Sequence, residues 1–96
     1  MSVSRFPQEL LRAQRQVWAC EEASRAFVLA GPDSPVAQWP LPRQEEYRRL
    51  RAAHDQALRA VREHPLMADA IEDHHWAATI QALSAAARAD ERMAAA

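Results

Sequence analysis

Lysine is absent from this 96-residue chain, and glycine and cysteine occur once each. One glycine rules out the glycine-rich loops that cradle nucleotide phosphates. The single cysteine, Cys20, can close no internal disulfide, and the opening Met-Ser-Val-Ser-Arg-Phe-Pro has no apolar signal core, so a cytoplasmic protein is expected. Valine, isoleucine, threonine and aromatic residues are scarce, which removes the side chains that favour strands. Neither sign of charge is in surplus. Twelve arginines against thirteen acids leave a net charge of −1, which takes away the general electrostatic case for binding nucleic acid or a membrane surface. No apolar run approaches the roughly 20 residues needed to cross a bilayer.

What is abundant is alanine. It supplies 22 residues, and only 25 larger apolar side chains remain to fill a core. This composition predicts an all-α chain. The length limits it to one small domain, short of the mass of a large catalytic scaffold.

Proline and glycine divide that domain. Pro7 suits a first helical turn, and no breaker follows until Gly31-Pro32, so a first helix is predicted over about 7–30. Residues 31–42 hold four of the six prolines and form an extended connector. A second helix runs over about 43–63 and stops at His64-Pro65, because the residue before a proline is pushed out of the α region. A third runs over about 66–90. The alanine-rich tail 91–96, anchored only by Met93, is expected to fray. The predicted architecture is a three-helix domain: a long helix, a proline-rich crossover and an antiparallel hairpin of helices two and three.

Placing residues at 100° steps gives each helix its faces. On helix two, Tyr47, Leu50, His54, Ala57, Leu58 and Val61 form an apolar stripe, beside a second stripe of Arg48, Arg51, Arg59 and Arg62 with Asp55 in its middle. Helix one carries Leu10, Leu11, Val17, Trp18, Val28 and Leu29 on one face, interrupted by Gln14, Glu21 and Arg25. Helix three is apolar on two sides: Met67, Ala70, Ile71 and His74 on one, Trp76, Ile80 and Leu83 on the other. Three helices cover only one of those sides well. Either Trp39 and Leu41 of the connector fold over the second, or a partner does, most simply a second copy in a dimeric helical bundle.

Two histidines, His54 and His74, fall in apolar stripes where leucine is the usual choice. In a hairpin reversing at His64-Pro65 they lie within about 3 Å of each other along the axis. Glu21, central on helix one, points toward the same place, so Glu21, His54 and His74 form a candidate site for Fe(II) or Zn(II). The same histidines without metal would make a pH-sensitive seam. Glu72 and His75 have the Glu-x-x-His spacing of di-iron bundles, but they point away from the core stripe and read as a solvated strip. Cys20 is away from a helix N-terminus and has no histidine near it in sequence, so it reads as a packing residue.

These patterns favour a small interaction or regulatory module over an enzyme. It is expected to associate with itself or another protein, using Trp76, Ile80 and Leu83 as the contact face and the arginine stripe toward a polar partner. Two alternatives remain: a metal-binding bundle built on Glu21, His54 and His74, and a nucleic-acid-binding accessory protein that uses the stripe of Arg48, Arg51, Arg59 and Arg62 on phosphates.

Overall fold

In a computed structural model, which describes residues 5–95, four α-helices and one short 3-10 turn account for the fold, and no strand occurs among those residues. Helix α1 spans Gln8–Leu29, α2 Leu41–Glu63, α3 Pro65–Glu72 and α4 Trp76–Ala95. The all-α expectation holds.

Proline opens most of these elements. Pro7 and Pro40 take the extended N-cap positions of α1 and α2, Pro42 lies in the first turn of α2, and Pro65 begins α3. A proline costs nothing there, because the N–H it lacks would have no helical acceptor. Before Pro65, His64 is extended at ψ 133°, and its Nδ1 accepts the Leu66 N–H at 3.3 Å, capping α3. Its Nε2 lies 3.3 Å from Glu9 Oε1 on α1. An acceptor Nδ1 requires the neutral tautomer with its proton on Nε2, so the ring donates to Glu9 while it caps α3.

The predicted third helix is two helices. At His74 the backbone has φ 59°, the left-handed region. The His75 N–H donates to the Ala70 carbonyl at 2.8 Å, and the His74 N–H donates to the Ile71 carbonyl at 3.2 Å. This pair of reversed bonds is the Schellman termination, which normally has glycine where His74 stands. Histidine gives no such signal in the sequence, so the amphipathic pattern read straight through.

The long hairpin also differs from the predicted one. Helices α1 and α2 run antiparallel, joined by the connector: Glu9 meets His64 at one end and Phe27 stacks on Tyr47 at the other, with centroids 6.4 Å apart. Helix α4 packs on the other flank of α1, with α3 bridging α2 to α4. Helix α1 is therefore the central element. Its buried side chains Leu10, Leu11, Gln14, Val17 and Cys20 recur at helical spacing. All but Gln14 join Phe6, Ala57, Val61, Met67, Leu83 and Ala87 in the apolar core.

The connector closes the far end of the hairpin. Trp39 is buried, donates its Nε1–H to the Ser34 carbonyl at 2.9 Å and meets Phe27 and Tyr47 edge-on. Arg43 lies against the faces of Phe27 and Trp39 and donates to the Phe27 carbonyl, one of the last of α1, where a cation suits the helix dipole. Gly31 lies under that guanidinium, and any Cβ there would overlap it. A side chain at this position would have to displace the Arg43 guanidinium from its place against Phe27 and Trp39.

At the opposite end, α4 continues to Ala95, beyond the residue where fraying is expected; Ala96 lies outside the described residues. Arg15 of α1 forms an ion pair with Asp90, Gln8 donates to the same carboxylate at 3.4 Å, and Arg88 lies over the Trp18 ring.

Candidate association groove

Helices α2 and α4 flank α1 without substantial contact with each other. The space between them is a cleft of about 190 Å³. Its floor is Gln14 and Val17 of α1, its walls are Leu58 and Val61 of α2 and Trp76 and Ile80 of α4, and Glu21 and Arg62 stand at its edges. Past Arg62 and Trp76 the cleft opens into a shallower depression bounded by Ile71, His74 and Ala77. Small-molecule sites enclose roughly 300–1,000 Å³. The narrower cleft is below that range and the outer depression is open to solvent, so the groove fits side chains of another helix better than a bound metabolite.

Sequence reasoning reached part of this groove. Trp76 and Ile80 are half-buried along its wall, whereas Leu83 is fully buried in the core. The reason is the break at His74: it turns α4 independently of α3, so Leu83 faces α1 and only the start of α4 borders the opening. The connector does not cover this surface. Trp39 closes over Phe27 and Tyr47, and Leu41 is 69% exposed.

The floor holds a residue that was noted only as an interruption. Gln14 is 6% exposed, and its amide makes no hydrogen bond within the described residues. Among the described residues the side-chain atoms sealed from solvent without a hydrogen bond belong to Ser24, Arg43 and His54, so the Gln14 amide is reached by water in the groove. In this position it is open to whatever occupies the groove.

The three proposed metal ligands are not assembled. His54 and Glu21 do approach, with Nε2 3.5 Å from Oε1, too far for an ordinary hydrogen bond, and Nε2 is buried with no hydrogen-bond partner. His74 is exposed in the α3–α4 break, so the register argument fails with the continuous helix on which it rested. Among the described residues no group of three His, Cys, Asp or Glu side chains could hold a metal ion. Glu72 and His75 are both exposed on either side of the same break. Cys20 is buried, and its Sγ receives a weak contact from Gln16.

No family model matches this chain, and no curated protein or solved structure is significantly similar to it.

The arginine stripe lies on the exposed side of α2. Arg48, Arg51, Arg59 and Arg62 are all exposed, and none has an ion-pair partner within the described residues. The acids of α1 face other groups: Glu9 lies against His64, Glu21 beside His54, and Glu22 pairs with Arg25 at 2.7 Å. Among the described residues no helix is long and apolar enough to cross a membrane.

Proposed function

We propose that this chain is a helical interaction module that acts by association with a second copy of itself through the groove between α2 and α4. The observation that carries this reading is its unfilled shape. The radius of gyration is 16.3 Å and the extents are 50 × 36 × 18 Å, whereas a compact chain of this length would have a radius near 12.5 Å. Its accessible surface is 6901 Å², against about 5,500 Å² for a compact monomer of this mass. The excess, on the order of 1,000 Å² per chain, is what one partner contributes to a stable dimer interface. The half-buried Trp76 and Ile80 and the exposed Ile71 supply apolar contact.

Sedimentation equilibrium at tens of micromolar tests it. The expected result is a dimer that Ile80→Glu and Ile71→Arg both shift toward monomer while circular dichroism stays helical. Ile71 is an exposed residue, so its replacement separates loss of association from loss of folding. A monomer at those concentrations, or a dimer indifferent to both substitutions, overturns the reading.

A further inference from the structure

Arg51, Asp55, Arg59 and Glu63 occupy one i+4 row along the exposed side of α2, and their charges alternate in sign. Such a row ordinarily closes into ion pairs along its own helix. Here none of the four makes an ion pair within the described residues. The row adjoins the groove: Asp55, Arg59 and Glu63 share a surface depression with Leu58 and Arg62, and those two also line the cleft.

An alternating row of four charges has a symmetry property. Reversed end to end, it presents the opposite sign at every position. We infer that α2 is the element by which two copies meet, antiparallel about a two-fold axis at the level of Ala57, with Asp55 opposite Arg59 of the second copy and Arg51 opposite Glu63 of the second copy. Each contact occurs twice, as a two-fold interface requires. Leu58, half-buried and within one residue of the axis, meets its own counterpart there.

The alternatives are repulsive. Sliding the pairing by four residues one way sets Asp55 against Glu63 and Arg59 against itself, and four the other way sets Asp55 against itself and Arg51 against Arg59. Parallel docking about a two-fold axis sets every residue against its own copy. Exposed ion pairs add little affinity individually, but like charges in the wrong registers suppress them, so the row selects orientation and register while the apolar groove residues supply attachment.

This inference rests on the homodimer reading, and a charge-swap cycle tests the two separately. Dimer dissociation constants are measured by sedimentation for the full chain, Asp55→Arg, Arg59→Asp and the double variant, at low and high salt. Each single swap places two like-charge contacts in the interface and should weaken the dimer about tenfold or more at low salt. The double swap restores opposite charges and should return the constant to near that of the parent, which also shows that exposed substitutions on α2 leave the fold intact. A dimer that ignores the single swaps, or one that the double swap fails to restore, overturns the register and leaves the homodimer standing. A parent chain that stays monomeric overturns both.

Discussion

His74 holds a backbone conformation that glycine adopts freely and that crowds a Cβ against the following carbonyl, at a cost of about 1–2 kcal/mol. His74→Gly is therefore expected to raise unfolding stability by about 0.5–1 kcal/mol, net of the greater freedom glycine gives the unfolded chain, as read from urea denaturation. A loss of stability instead would indicate that residues 73–75 continue a single helix. Arg43 works in the opposite direction. Arg43→Ala removes a charge-assisted bond to the end of α1 and two aromatic faces, for an expected loss of about 1–3 kcal/mol, and Gly31→Ala should reproduce part of that loss by displacing the same guanidinium.

Helix α4 is held to α1 at its far end by the carboxylate of Asp90. The hydrogen bonds from Arg15, then Gln8, favour the charged form and hold Asp90 below the ordinary aspartate range. A group whose pKa is lower in the folded state contributes stability that is complete above its unfolded value, near pH 4, and is lost as pH falls through the folded value. An acid titration followed by helix content should therefore show α4 loosening below about pH 4, with a shallower dependence in Asp90→Asn. Equal slopes for the two proteins would contradict the role given to this contact. The elements themselves were largely legible in the sequence, because prolines and one glycine mark their ends: α1 and α2 match the predicted spans to within two residues at each end. The α3–α4 break was hidden because a histidine fills a glycine position, and the assignment of helix partners was hidden with it. Once α4 turns independently, it returns to α1 rather than to α2. The error propagated to the candidate sites: Leu83 moved from a surface face to the core and His74 from the core to the surface, while Trp76, Ile80 and the arginine stripe kept their exposure because they depend on local helical phase alone.

As a whole the molecule is a slab 18 Å thick in its thinnest direction, with α1 along the middle and the other helices at its sides. Small-angle scattering should separate the shape from the assembly: dilution is expected to reduce the apparent mass by half while the radius of gyration approaches 16.3 Å, the value of the open single chain. A dilute limit near the 12.5 Å of a compact globule would mean that the groove closes when the partner leaves. So thin a body has little interior, and this bears on which backbone amides are shielded from solvent exchange. Helix α1 has the longest buried face, from Leu10 to Cys20, and packs against both α2 and α4, so deuterium uptake should be slowest there and faster along the exposed sides of α2 and α4. Association would alter that order, and α2, edge-on in the lone chain, would become the segment whose exchange slows most as concentration rises.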